Sequence, residues 1–198
     1  MRLRRAILAA VVLVAMTALG VWLLFFALPR WYGETPPAAP GQARQAPGQI
    51  ESRKIRATLF YVSSDGTRLV AVEREVPYGE GTPEQAQRIL EEQVRPAPSA
   101  YVSAVPPGTR VRAVFVTGRG EAFVDLSREV GSGHVGGSLT ELFTVYAIVN
   151  ALTTNLPAIS GVQLLVEGQE VDTLAGHIDL RHPLKKNLRW VEKPISDP

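Results

Sequence analysis

The densest grouping of chemically useful residues is the run Gly131-Ser132-Gly133-His134-Val135-Gly136-Gly137-Ser138. Its first six positions fit G-x-G-x-x-G between a β-rich stretch and an apolar helix. In that setting backbone N–H groups at a helix N-terminus can cradle a pyrophosphate. The wider pattern does not match. The β-rich stretch ends near Leu126, four residues short of Gly131, whereas the fingerprint needs a tight turn. No acid stands about 20 residues further on to take a ribose hydroxyl. A flexible entry into a buried helix uses the same glycines.

Ser138, His134 and Asp125 could in principle form a nucleophile–base–acid set, but no G-x-S-x-G elbow presents the serine. Ser138 also suits a helix N-cap. The three histidines, His134, His177 and His182, lack the i, i+4 spacing that puts two ligands on one helical face. The carboxylates Asp125, Asp172 and Asp179 fall at strand ends or turns, and nothing selects two of them as an acid–base pair. There is no cysteine, which excludes disulfides, thiolate nucleophiles, Cys-ligated metals and a lipid-modified N-terminal cysteine. The residues imply no cofactor, no metal and no catalytic residue.

Positioning these groups falls to the region after residue 53. Lys54–Val62 and Arg68–Val76 are rich in β-formers and flank an Asp65-Gly66 turn, which predicts a hairpin. Thr82-Pro83-Glu84-Gln85 predicts a helix start with a capping box, and Ala86, Ile89, Leu90 and Val94 form its apolar stripe. Arg95-Pro96 ends it. Arg110–Thr117 and Glu121–Leu126 predict a second hairpin. Ser138-Leu139-Thr140-Glu141 predicts a second capping box, opening a helix to about Asn155 that is apolar nearly all round. Val162–Val166 predicts a last long strand, Glu167-Gly168-Gln169 a turn, and the segment through Asp179 a short final strand. The order is ββαββαβ(β), an α+β fold with an antiparallel or mixed sheet and both helices on one face.

The first fifty residues have a different composition. Residues 1–5 form a basic cap, and 6–28 carry no charge. As a helix these 23 residues reach about 35 Å, enough to cross a hydrocarbon core of about 30 Å. Trp31 and Tyr32 follow at interfacial depth. A cleavable signal peptide is the alternative, with Ala18-Leu19-Gly20 as its small-residue site; the apolar run is longer than a typical signal core. Arg2, Arg4 and Arg5 place the N-terminus in the cytoplasm and the remainder outside. Residues 29–52 hold a Pro/Gly-rich linker with too little to bury to fold. A domain is expected over 53–183 and a basic tail over 184–198; basic residues cluster there, with Arg181 just before the tail and Lys185, Lys186, Arg189 and Lys193 in it around Trp190. The net charge of +2 reflects the N-terminal flank: without Arg2, Arg4, Arg5 and Arg30, the 21 basic residues fall below the 19 acidic ones. That balance argues against nucleic-acid binding.

Together the segments ATLFYVSSDG, RLVAVEREV, TPEQAQRILEEQV, SAVPPGTRV, EAFVDLS, GGSLTELFTVYAIVNALTT and GVQLLVEGQEVDTLAGHIDL, in this order, resemble the GerMN domain family over roughly Ile55 to Pro183. This chain differs from family lipoproteins in lacking the lipobox cysteine, has one copy where some members have two, and carries Arg95-Pro96 where Gly-Pro is frequent. The resemblance implies a non-enzymatic domain outside the membrane, related in fold to ring-building modules of secretion assemblies. It further implies roles in envelope assembly, sporulation or germination, or modulation of a sensor kinase. The expected partner is an envelope or membrane protein complex, self-association included. The expected interaction loops comprise His134, Gly136, Gly137, Ser138 and Glu141 on one side and Gly168 and Gln169 on the other. A binding domain for a cell-wall fragment or other small anion, and an envelope hydrolase, remain as alternatives.

Overall fold

The computed structural model describes residues 16, 17, 19, 22, 53–134 and 137–192. The chain divides into two units, Met1–Gly48 and Gln49–Pro198. In the first, Met16, Thr17, Leu19 and Trp22 are helical and exposed. Among the described residues no helix is long and apolar enough to cross a membrane. The span expected over 6–28 and the linker over 29–52 lie almost wholly outside the described residues.

The second unit is an α+β fold. Strands β1 (Lys54–Val62) and β2 (Leu69–Pro77) pair antiparallel from Lys54 opposite Pro77 to Val62 opposite Leu69. Asp65 ties the turn by accepting from the Ser63 and Thr67 hydroxyls and the Thr67 N–H. Helix α1 (Gly81–Gln93) follows. Strands β3 (Val111–Val116) and β4 (Glu121–Leu126) form a second antiparallel pair with an irregularity at Arg112. A short helix α2 (Glu129–Ser132) and the long α3 (Ser138–Asn155) then cross to β5 (Gly161–Val166), which runs parallel to β4. Parallel neighbours require such a long connection. Strand β6 is only Gln169–Glu170.

The expected mixed sheet exists, with strand order β3-β4-β5-β6, but the first hairpin does not join it; it is a separate two-stranded sheet. The reason lies at the far edge of β1. The Thr58 N–H and C=O bond the Asn155 carboxamide at the end of α3. Those of Phe60 bond the Gln93 carboxamide at the end of α1. Those of Val62 pair with Val102. Two side-chain amides and one loop residue take the place of a neighbouring strand along Thr58–Val62, so that stretch has no edge group left to recruit one.

The α3 helix is the most buried element, with every residue from Phe143 to Thr153 buried except Tyr146. It packs on β1, β5 and α1, while α1 packs on β3. Alternate residues of the larger sheet, Val114, Val124, Leu126, Val162 and Leu164, are buried, as the two-residue strand period requires. Each such side chain contributes about 1.5–3 kcal/mol relative to an exposed position. Neither expected capping box forms. Both helices start without a side-chain cap, after Glu80 and Gly137. Gln85 instead accepts from the Gly79 N–H and donates to the Pro77 carbonyl, and Glu141 reaches away from its helix. For Glu141 a long-range partner displaces the local cap; for Gln85 the residues just before the helix do.

Candidate functional site

Glu141 sits on the first turn of α3 and is fully buried. One carboxylate oxygen accepts the backbone N–H groups of Leu174 at 2.8 Å and Ala175 at 2.9 Å. The other accepts the His177 N–H at 2.8 Å and lies 3.0 Å from His177 Nδ1. Burial pushes this carboxyl up, and the bonds from Ala175, Leu174 and His177 pull it down; the result lies below the ordinary glutamate value. Glu141 therefore anchors the 174–177 loop to α3. It was expected as a surface contact residue, but a side chain with no exposure cannot meet a partner, and the structure corrects that reading.

His134 lies beside this anchor. Both of its ring nitrogens are buried without a hydrogen-bond partner. Burial lowers its pKa, Glu141 opposes that, and His177 adds to it, leaving a ring biased toward neutral. His134 forms part of the wall of a groove of about 550 Å³ that also includes Tyr101, Val105, Pro106 and Thr140. Gly137 and Ser138 are exposed at the start of α3, with Leu139 beside them 40% exposed. Gly136 lies outside the described residues.

The other predicted loop is built separately. Glu167 and Gly168 both have positive φ, 53° and 79°, so they form the turn, and Gln169 belongs to β6. Gly168 donates to Asp125 at 2.7 Å, and Glu167 accepts from the Arg128 N–H at 3.0 Å. Arg112 bridges the two acids, 3.5 Å from Asp125 and 3.1 Å from Glu167. Among the described residues no hydrogen bond or ion pair joins Gly168 or Gln169 to Ser138 or Glu141.

The hydrolase arrangement is not assembled. Asp125 is held by Arg112 and Gly168, the His134 ring has no partner, and Ser138 makes no side-chain bond to either. Among the described residues no three His, Asp or Glu side chains are grouped to hold a metal. Gly131 and Ser132 lie inside α2, not in an open glycine loop. Sequence reasoning missed His177 as the partner of Glu141, and the groove along 96–107. The signal for the first was a lone acid in an otherwise apolar helix, which implies a specific buried partner. The groove carried no such signal.

The fold and its internally committed acids define a small α+β module in which the polar side chains mainly hold loops to the core. Residues 58–172, more than half of the chain, match the family model described as Germane, sporulation and spore germination. The chain belongs to that family. No curated protein matches it. Among solved structures it is similar to the tandem GerMN domains of the sporulation protein GerM from Bacillus subtilis, with TM-score 0.53 and 22% identity over 69% of this chain and 46% of that one. The first GerMN domain of the same protein gives 0.53 and 20%, covering 66% of this chain and 97% of that domain. A candidate lipoprotein from Clostridium perfringens gives 0.50 and 20%, with coverages of 67% and 88%. These likenesses establish the GerMN fold, and the chain spans less than half of the tandem protein.

Proposed function

We propose that this chain is a membrane-tethered, non-catalytic interaction module of the cell envelope, with the folded domain on the extracytoplasmic side. Residues 6–28 serve as the single-pass anchor, with the basic cap inside, and 29–52 as the spacer. The family is described as one of sporulation and spore germination, and one relative in fold is designated a candidate lipoprotein; both support an envelope role. The observation that carries the non-catalytic reading is Glu141. This acid, which follows the predicted glycine loop, is spent on holding 174–177 and faces no substrate space. Partner contact falls to the exposed start of α3, Gly137–Thr140, and to the Gly168–Gln169 turn.

Site-specific photo-crosslinking in cells tests this with the full chain. A crosslinker at Leu139 or Gln169 is expected to give a discrete adduct with an envelope protein or a second copy, and one at Arg119 is not. No adduct from either position, with a positive control crosslinking normally, would remove these loops from the reading.

One observation favours a second reading, a small-ligand domain: the partnerless His134 nitrogens beside the groove. Thermal shift of the full chain with cell-wall fragments checks it, and a flat response across the panel counts against it.

A further inference from the structure

Most cations among the described residues are matched. Lys54, Arg56, Arg74, Arg88, Arg95, Arg112, Arg119, Arg128 and Arg181 each pair with a carboxylate. Arg53 lies over the Tyr78 ring, and Arg110 acts on Glu129. Besides Arg53, the cations left without a carboxylate are Arg68, Lys185, Lys186 and Arg189, all exposed. Unmatched charge is thus concentrated at one place in the fold.

That place is a strap. The chain from Leu184 to Glu192 is pinned at three points. Leu184 bonds Val162 in both directions, Asn187 bonds the Asn150 carboxamide in both directions, and Leu69 bonds Trp190 and Glu192. Between the pins Lys185, Lys186, Leu188 and Arg189 face solvent. Arg68, Leu188 and Arg189 line one notch with Val191 and Glu192. Leu188 is 48% exposed, and the Arg189 guanidinium lies 5.9 Å from the centre of the Trp190 ring.

We infer that this strap is a docking face for an anionic phospholipid surface. A single small anion calls for all the cations to converge on a point, whereas only Arg68 and Arg189 share the notch, and Lys185 and Lys186 lie outside it, between the first two pins. Leu188, exposed among the cations, fits the headgroup boundary, where charge meets phosphate and an apolar side chain dips toward the acyl region, while Trp190 is partly buried against the core and holds the strap to it. Glu192 offsets one charge at the rim and leaves the balance basic. The inference rests on the tethered reading only for the nearness of a bilayer.

The test uses the full chain and exploits its lack of cysteine. Leu188→Cys, or Arg119→Cys as a control at the β3–β4 turn, is labelled with a polarity-sensitive dye. The protein is then incorporated into vesicles of phosphatidylcholine alone, or of phosphatidylcholine and phosphatidylglycerol in equal parts. The position-188 dye is expected to shift to the blue only with phosphatidylglycerol. The shift should be lost at about 1 M salt, where the screening length falls to about 3 Å, and in the variant Lys185→Glu/Lys186→Glu/Arg189→Glu. Position 119 should not respond. Equal emission in both vesicles, or the same response at both positions, overturns the inference. So does loss of the shift on adding inorganic phosphate at matched ionic strength, which would mark a single-anion site. The lipid and salt arms need no charge variant, so they stand even if that variant misfolds. Flotation with phosphatidylcholine vesicles at high salt reads the tether separately, so failure of the anchor and failure of the strap are distinguishable.

Discussion

The Gln93 carboxamide closes on both backbone groups of Phe60, donating to its carbonyl at 2.7 Å and accepting its N–H at 2.9 Å, with both residues buried. Replacing Gln93 by Leu keeps the volume and leaves two buried backbone groups without partners. At about 1–3 kcal/mol for each of the two orphaned groups, the loss is about 2–6 kcal/mol. Urea unfolding of Gln93→Leu is expected to show a lower midpoint with the slope preserved. An unchanged midpoint would mean that water or a shifted strand replaces the amide.

Glu141 makes a stronger case because its bonds are charge-assisted. Glu141→Gln keeps an acceptor for Leu174 and Ala175 but turns an NH₂ toward the His177 N–H, donor against donor. The expected cost is about 2–3 kcal/mol, and more for Glu141→Ala. Amide exchange should accelerate at Leu174, Ala175 and His177 well before the β4 and β5 amides respond. Uniform acceleration would show that the carboxylate supports the whole core and not one loop.

Stability should fall on acidification in two stages. Both His134 and Glu141 bind a proton less readily in the folded chain than in the unfolded one. Their contributions are complete above the ordinary values of 6.5 and 4.5 and are lost as the pH drops through the lower folded values. Denaturation midpoints measured against pH should therefore decline first below about 6.5, a limb removed in His134→Leu, and again below about 4.5, a limb reduced in Glu141→Gln. A midpoint that stays flat between pH 7 and 5 in the parent chain would contradict the assignment to His134.

The turn between β3 and β4 offers a paired test. Gly120 has φ 81°, and an added Cβ would lie 2.5 Å from the Ala158 carbonyl oxygen. Gly118, two residues earlier, has open space and no positive φ. Gly120→Ala should cost more than 2 kcal/mol, combining an unfavourable backbone with a backbone clash, while Gly118→Ala should lie within about 0.5 kcal/mol of the parent. Thermal melts of the two variants side by side decide it.

Local chemistry predicted what local chemistry controls. β4 runs over Glu121–Leu126 as its residues indicate, the Asp65-Gly66 turn closes the first hairpin, and the apolar run after Gly137 is the buried helix. Ser138 with Glu141, and Thr82 with Gln85, have the spacing of capping boxes, yet the buried acid bonds the distant 174–177 loop, and the amide bonds Pro77 and Gly79 at the entry to its own helix. The hairpin was assigned to a common sheet because nothing local to Lys54–Val62 shows that Gln93 and Asn155, one at the end of each long helix, will saturate its edge. The exposed glycine and turn positions of the candidate site were legible as loops. The burial of Glu141 was not, because it depends on residues more than thirty positions away.

The pinned strap also sets an order in time. Thr58 finds its partner 97 residues on, and Leu69 pairs with Trp190 and Glu192 near the end of the chain. A polypeptide emerging N-terminus first must therefore hold its opening hairpin unfinished until Glu192 has appeared. Contacts so distant in sequence slow closure. This domain closes as a whole, with its late residues locking its early ones.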